Sequence, residues 1–159
     1  MIAIETSVEI AAPPAVVWAR LCDADMPATA PCEFRLGALG PPQPLRCELP
    51  TGVGGIGQER RCVTTRGIVT QRITAWVEAE HLAFELVAEA AGLGAHVQAM
   101  KDDFWLTPLG PARTRLTRRT ALVPRRPCPR LRGLALRVAV RRVHRFTMRG
   151  FAAAAVAAV

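Results

Sequence analysis

The start of the chain combines a period-two pattern with a helical one. Across residues 2–10, apolar side chains or Thr occupy every second position, and Ala, Glu and Ser fill the others. This alternation predicts a strand with one face in a core. Pro13 and Pro14 suit the first turn of a helix, where a missing N–H costs little. Three apolar residues then repeat at helical spacing: Val17, Trp18 and Leu21.

Most of the remaining chain carries strand patterns joined by short turns. A short second helix is predicted within residues 23–31, followed by about six strands. Because the connections are short, neighbouring strands are expected to be antiparallel. The segments with strand character are residues 33–36, 45–49, 56–64, 68–77, 82–88, 96–109 and 114–123.

The last element is predicted to be a long amphipathic helix over residues 131–159. On a wheel of 3.6 residues per turn, one face carries Leu136, Val140, Val143, Thr147, Phe151 and Ala154. Another face carries Arg141, Arg142, Arg145 and Arg149. The whole order predicts an α+β fold in which a curved antiparallel sheet wraps this helix and leaves room for a cavity between them.

Three motifs carry a resemblance to a known family: residues 7–18, the strand run 69–76 with 82–86, and residues 114–120 before the closing helix. With these motifs the chain resembles the START-like (SRPBCC) superfamily of helix-grip folds, in its polyketide cyclase/dehydrase-like branch. The resemblance covers residues 1–159 as a single domain. It implies a hydrophobic ligand. The family often carries Glu where Gln71 stands, which removes a carboxylate from that position.

Composition narrows the class of protein. Half of the 159 residues are hydrophobic and 21% are charged, as in globular domains. No apolar run reaches the roughly 18 residues that span a bilayer, so no membrane span and a cytoplasmic location are expected. The five cysteines show neither paired nor zinc-ligand spacing. Free thiols, no metal and no redox cofactor are therefore expected.

Charge is distributed unevenly. Residues 1–103 hold all thirteen acidic groups and carry a net charge of −5, whereas residues 104–159 hold thirteen arginines and no acid. Such a surface could attract an anionic partner. Because the arginines are not interleaved with exposed aromatic residues and no nucleic-acid module is recognisable, specific nucleic-acid binding is not expected. A homodimer is one option for the assembly.

Several polar residues are candidates for chemistry. Arg72 lies in mid-strand with the parity of Trp76, and two orientations stay open: inward, where it could bind a ligand carboxylate, phenolate or enolate, or outward into solvent. The resemblance implies the inward one. His144 lies at the border of the helix's apolar face, either in the pocket or as a hydrogen-bonded border residue. Asp102 and Asp103 are adjacent and must point to opposite faces of a strand, so they cannot form an acid–base pair.

The glycines at 52, 54 and 57 match a dinucleotide-binding fingerprint by letter only, because a strand and not a helix is predicted after them. We interpret them as a loop. The expected function is binding of a hydrophobic or aromatic small molecule in the cavity. One alternative is a cofactor-independent polyketide cyclase or aromatase with Arg72 and His144 as catalytic residues, and another is a non-enzymatic module that binds a partner through the basic C-terminal third. The expected ligand-binding residues are Trp76, Phe84, Trp105, Val140, Thr147 and Phe151.

Overall fold

The structure is a computed structural model that describes residues 1–22, 44–48, 54–65, 67–88, 97–125 and 130–159. Seven strands and two helices lie in these ranges. In chain order they are β1 (Ile2–Ile10), α1 (Pro14–Cys22), β2 (Pro44–Glu48), β3 (Glu59–Thr64), β4 (Gly67–Val77), β5 (His81–Ala88), β6 (Val97–Gly110), β7 (Arg113–Pro124) and α2 (Arg130–Val156).

The seven strands form a single antiparallel sheet in the order β1-β7-β6-β5-β4-β3-β2. From β2 to β7 each strand pairs with its neighbour in sequence, as the short turns predict. The first strand instead pairs with the last, with Ile2 opposite Leu122 and Ile10 opposite Thr114. The sheet curls into a half-barrel against α2, so the expected α+β helix-grip fold is confirmed.

The junction between β1 and α1 is fixed by core packing and by backbone hydrogen bonds. The Pro13 carbonyl accepts bonds from the N–H groups of Val16 and Val17, and the helix begins at the second proline, Pro14. The buried Thr114 hydroxyl donates to the Ala12 carbonyl at 2.8 Å and ties this turn to β7. Val17 and Leu21 have no exposed surface, so the short helix packs by the predicted face.

The long helix is buried unevenly along its length. Its C-terminal half supplies Phe146, Met148 and Phe151 to the buried interior. Further towards the N-terminus, Leu136 and Val140 are only partly buried, against a small cluster around Ile2 and Ile4. The predicted apolar face is therefore correct in direction but wrong at its end. Ala154 is exposed and Ala155 is fully buried.

Some expectations lie outside the described residues: the second helix within 23–31, the strand at 33–36 and the first two residues of the glycine loop. Among the cysteines, Cys22 is a free, half-buried thiol. Cys62 is disulfide-bonded, so the expectation of a free thiol is wrong there. None of the described helices is long and apolar enough to cross a membrane.

Candidate functional site

Three phenylalanines form an aromatic row between the inner face of the sheet and α2. Phe84 on β5 and Phe104 on β6 meet edge to face, with ring centroids 6.3 Å apart. Phe104 and Phe151 on α2 repeat the same arrangement at 6.3 Å. All three side chains are buried. Two charged side chains of the inner face pack against this row: Arg60 against Phe84 and Arg118 against Phe104.

A buried ion pair joins β6 to β7 beside this row. Arg118 donates from Nε and Nη2 to the two carboxylate oxygens of Asp102, at 3.2 and 2.9 Å. Its third nitrogen, Nη1, donates to the Thr147 hydroxyl on α2 at 2.8 Å. The guanidinium also lies 5.1 Å from the centre of the Phe104 ring. All three nitrogens of Arg118 are thus engaged within the protein.

The surroundings of Asp102 keep it ionised. Burial alone would raise its pKa, but the charge and hydrogen bonds of Arg118, together with the Thr120 hydroxyl, outweigh burial and lower the pKa from its ordinary value of 3.8. An ionised carboxylate can only accept hydrogen bonds. Every hydroxyl or N–H group that contacts Asp102 must therefore donate to it, and this fixes the direction of the neighbouring bonds.

A directed chain of hydrogen bonds runs from Asp102 to β1. Thr120 donates its hydroxyl proton to Asp102. Thr120 Oγ1 must then accept from the Nε2–H group of His144, at 2.6 Å. Because burial lowers the pKa of His144 to about 3, the ring is neutral at pH 7 and its single proton lies on Nε2. The other ring nitrogen, Nδ1, then accepts from the hydroxyl of Thr6, at 2.9 Å.

This environment keeps His144 from taking up a proton near neutral pH. The residue has no exposed surface. Burial and, to a lesser extent, the positive charge of Arg118 lower its pKa from 6.5 to about 3, against the opposing pull of Asp102. Of the two positions left open for this residue, the structure places it in the hydrogen-bonded one, where it links β1, β7 and α2.

A second arginine, Arg60 on β3, is buried in a different way. Only 7% of the residue is exposed. Its guanidinium carbon lies 3.8 Å from the centre of the Phe84 ring, and Nε donates to Gln71 Oε1 at 3.0 Å. Within the described part of the chain, no hydrogen bond or ion pair engages the two Nη groups. Burial lowers the pKa of Arg60 to about 10, so it remains a cation at neutral pH.

The free thiol of Cys22 at the end of α1 lies within electrostatic reach of Arg60. Burial raises the pKa of Cys22 to about 11, and the positive charge of Arg60 only partly opposes this. The group is therefore an uncharged thiol at neutral pH. It therefore supplies no negative charge to Arg60.

The structure places Arg72, the predicted catalytic arginine, on the outer face of the sheet. Its guanidinium lies 3.2 Å from Glu59 and 3.5 Å from Glu85, which flank it on β3 and β5, and its side chain is 44% exposed. Of the two orientations left open, Arg72 has the outward one, and the inward one that the resemblance implies is wrong. Gln71 and Ile73 on either side of Arg72 are buried, so strand alternation directs Arg72 outward. An extra residue between Ile73 and Ala75 then breaks the period of two, and Trp76 turns inward although it shares the parity of Arg72.

Two predicted ligand-binding tryptophans also separate onto opposite faces. Trp76 packs edge to face against Trp18 of α1, with centroids 5.1 Å apart. A β-carbon at Gly54 would lie 2.2 Å from the Trp76 ring, so the glycine turn fits closely against this residue. Trp105 stacks on His81 at 5.1 Å. Because Trp105 follows the inward Phe104, it lies on the outer face, and the expectation that it lines the inner space is corrected.

The other predicted ligand-binding residues lie between the sheet and α2, with Phe84 on β5 and the rest on α2. Phe84, Thr147 and Phe151 contact the aromatic row or its arginines, whereas Val140 packs in the separate cluster near Ile2. The adjacent aspartates diverge as expected. Asp102 binds Arg118, and Asp103 on the other face contacts Lys101 and His81 at 3.2 and 3.1 Å.

The sequence interpretation missed Arg60 and gave Arg118 no role beyond the basic region. A signal was present for Arg118, because Leu116, Thr120 and Leu122 share its parity and all are buried. Arg60 has the parity of Cys62 in the same strand, and both are buried. Strand parity thus holds the information, but the basic side chains argue against burial when they are considered singly.

The described part of the glycine loop, residues 54–57, has no phosphate-binding geometry. Gly57 adopts φ 89°, a conformation that favours glycine, and its N–H donates to the Ile73 carbonyl at 2.9 Å. The chain then enters β3 and not a helix. A helix N-terminus is the feature that a dinucleotide site requires there.

With this fold and inner face, the chain falls among helix-grip proteins, and comparison with known families agrees. The family described as polyketide cyclase / dehydrase and lipid transport matches residues 1–156, and the chain belongs to it. Family and fold together suggest hydrophobic-ligand binding or polyketide cyclase activity. A search of curated proteins found no match.

Solved structures of low sequence identity share the fold. The Zhui aromatase/cyclase of Streptomyces sp. R1128 has a TM-score of 0.69 at 20% identity, covering 97% of this chain and 93% of that one. Norcoclaurine synthase of Thalictrum flavum, in complex with dopamine and hydroxybenzaldehyde, has a TM-score of 0.61 at 14% identity, with coverages of 99% and 85%. A START superfamily protein of Mycobacterium smegmatis gives 0.56 at 17%, with coverages of 91% and 96%.

Proposed function

We propose that this protein binds a hydrophobic or aromatic small molecule between the inner face of the sheet and α2, and that Arg60 holds an oxygen atom of that ligand. The supporting observation is the state of Arg60: a buried cation on an aromatic ring whose Nη groups have no partner among the described residues. An unpaired buried charge is costly to a fold. A ligand oxygen at the Nη groups would offset that cost.

The aromatic row fits the rest of such a ligand. Phe84, Phe104 and Phe151 present ring edges and faces over which an apolar or aromatic skeleton can pack. The Thr147 hydroxyl accepts a hydrogen bond from Arg118, so its part in the site is to hold that guanidinium in place. Arg72 and Trp105 lie on the outer face and are left out of the proposed site.

The test compares 2-naphthol with naphthalene by titration calorimetry at pH 7. One molecule of 2-naphthol should bind per chain. Arg60→Met should weaken this binding by about tenfold or more, because a hydrogen bond to a charged group contributes about 1.5–3 kcal/mol. Naphthalene should be affected much less. Circular dichroism verifies that the variant is folded.

Arg72→Met is the matched control, since it removes the same group from the neighbouring strand on the outer face. It should leave both affinities unchanged. Equal affinity of 2-naphthol for wild type and Arg60→Met would remove Arg60 from the proposed site. If neither compound binds, small-molecule binding itself is wrong for this class of ligand.

A polyketide cyclase or aromatase activity is the second candidate, and Arg60 again favours it. A fixed guanidinium in a site of low polarity can stabilise the oxygen of a developing enolate. The neutral His144 ring is hydrogen-bonded at both nitrogens and has no free basic nitrogen, so in this proposal it acts as a positioning residue. With a cyclising poly-β-keto substrate, Arg60→Met should lower kcat by at least about tenfold. The acid limb that a catalytic histidine adds to a pH–rate profile should be missing from wild type, and a folded His144→Gln variant should show the same profile.

A further inference from the structure

The charged groups on the inner face do not balance. Among the described residues, two arginines face α2 there, Arg60 and Arg118, and one ionised carboxylate, Asp102, is buried with them. Arg118 binds Asp102 bidentately. At Arg60, the charge of Asp102 raises the pKa and that of Arg118 lowers it. The described part of the inner face therefore carries one positive charge in excess, and Arg60 is the arginine without a bound carboxylate there.

Among the described residues, the groups nearest to Arg60 carry no negative charge of their own, and the Asp102 charge that reaches Arg60 is opposed by that of Arg118. Gln71, which accepts the Nε hydrogen bond at 3.0 Å, is a neutral amide. Cys22 is held as an uncharged thiol by burial, with a pKa of about 11. His144 is neutral and bonded on both ring nitrogens. The Phe84 ring offers only its quadrupole to the guanidinium.

We infer that the ligand of this site is a monoanion, with a carboxylate or a similar oxyanion paired to the Nη groups of Arg60 and an apolar body on the Phe84–Phe104–Phe151 row. This inference rests on the proposed function and specifies the charge of its ligand. A guanidinium with two free Nη groups presents parallel N–H donors, the geometry that a carboxylate accepts bidentately. A neutral lipid or a hydrocarbon would leave the excess charge buried without a partner.

Gln71 is the residue that permits this selectivity. A carboxylate at the same position would sit at hydrogen-bonding distance from Arg60 Nε and neutralise it within the protein. Gln and Glu have nearly the same shape, so Gln71→Glu changes the charge of the site with little change in its volume. Arg72→Gln lowers the net charge of the protein by the same amount on the adjacent residue, but on the outer face. The two variants form a matched pair.

The experiment uses two probes of equal size, 2-naphthoate and neutral 2-naphthamide, titrated calorimetrically into the full-length protein at pH 7. The carboxylate should bind at least about tenfold more tightly than the amide. In Gln71→Glu this preference should disappear while the amide still binds. In Arg72→Gln it should be retained. Arg60→Lys, which keeps the charge but not the fork of donors, should retain part of it.

A pH series separates the site from the ligand. Two groups that face Arg60 do not titrate or are paired: Gln71 of β4 is an amide, and Arg118 of β7 binds Asp102. Cys22 of α1, Asp102 of β6 and His144 of α2 keep their charge between about pH 6 and 8, because the pKa of Cys22 is about 11, that of Asp102 is lowered and that of His144 is about 3. Arg60, with a pKa of about 10, stays a cation in the same interval. Binding of 2-naphthoate and of the permanently ionised 2-naphthalenesulfonate should therefore be independent of pH across this interval. A slope would reveal a titrating partner of Arg60 and overturn the charge assignment.

The outcomes distinguish the two proposals. Tighter binding of the carboxylate, abolished by Gln71→Glu, supports both. Equal binding of carboxylate and amide, or a preference that survives in a folded Gln71→Glu protein, overturns the monoanion and leaves ligand binding in place. Binding of neither probe and of no 2-naphthol overturns the proposed function itself.

Discussion

Arg60 and Arg72 lie on neighbouring strands, one residue apart in register, and their side chains meet opposite surroundings. Arg72 extends from the outer face between Glu59 and Glu85, with nearly half of its side chain in water. Arg60 is buried on the inner face against Phe84 and a neutral amide. Two carboxylates contact the outer arginine, whose charge water already solvates. Among the described residues, no carboxylate contacts the inner arginine, whose charge burial penalises.

This difference shows where charge has consequences in the fold. Exposed ion pairs contribute little, because water and salt screen them and two long side chains must be ordered. On the inner face, water is excluded, and each charge without a partner destabilises the fold. The side chains linked from Thr6 to Thr147 are all hydrogen-bonded. The Nη groups of Arg60, in contrast, have no partner among the described residues.

The largest expected effect comes from removing the inner carboxylate. Asp102→Asn keeps the shape of the side chain but leaves Arg118 buried without a counter-charge, which should destabilise the protein by about 3–5 kcal/mol. Glu59→Gln on the outer face should cost less than about 1 kcal/mol, since Arg72 keeps Glu85 and solvent. Urea denaturation measures both. Similar losses in the two variants would show that the faces do not differ.

Two adjacent aromatic residues extend the comparison to apolar packing. Phe104 is 2% exposed and contacts both other rings of the row, so Phe104→Ala should cost about 3–5 kcal/mol. Trp105→Ala should cost less, although more atoms are removed, because its ring is half-buried on the outer face against His81. Chemical denaturation of the two variants tests the order. A larger loss for Trp105→Ala would contradict the assignment of the core to the inner face.

Acid should destabilise the protein through the inner face. Burial holds the folded-state pKa of His144 at about 3, against 6.5 in the unfolded chain. Between these values the unfolded state binds a proton that the folded state excludes. The free energy of unfolding should therefore fall as pH falls, by about 1.4 kcal/mol per pH unit at most. The lowered pKa of Asp102 adds a loss of the same sign below its ordinary value of 3.8.

Denaturation at a series of pH values should show that slope in wild type and in His81→Gln, and a smaller one in His144→Gln. Nitrogen NMR of the native protein should find the His144 ring neutral, protonated on Nε2, down to about pH 3. Titration of this ring near pH 6.5 would refute the closed hydrogen-bond chain and restore His144 as a proton-transfer residue.

The smallest effect is expected for Arg72. Arg72→Gln removes two half-exposed ion pairs and should change the free energy of unfolding by less than about 1 kcal/mol. Raising the salt concentration should reduce this difference further, because exposed charges are screened. Urea denaturation at two salt concentrations checks this. A loss above about 2 kcal/mol would mean that the outer pairs are more than surface contacts.

The sequence by itself determined the order and type of most described elements. The alternation of residues 2–10 specifies β1, the double proline starts α1, and the helical spacing of apolar residues specifies α2, because each pattern follows from the local geometry of one element. The opposite directions of Asp102 and Asp103 follow in the same way from the period of a strand. These features need no knowledge of what lies across the core.

Only the tertiary structure decided which polar side chains form the site. The irregularity between Ile73 and Ala75 reverses the parity that links Trp76 to Arg72, and strand patterning alone does not reveal such an extra residue. The meeting of Thr6, Asp102, Thr120 and His144 depends on pairing β1 with β7 and on the docking of α2, contacts between residues more than a hundred positions apart in the case of Thr6 and His144. The excess charge on Arg60 is likewise a property of its neighbours, because burial and missing partners arise only when separate elements pack together.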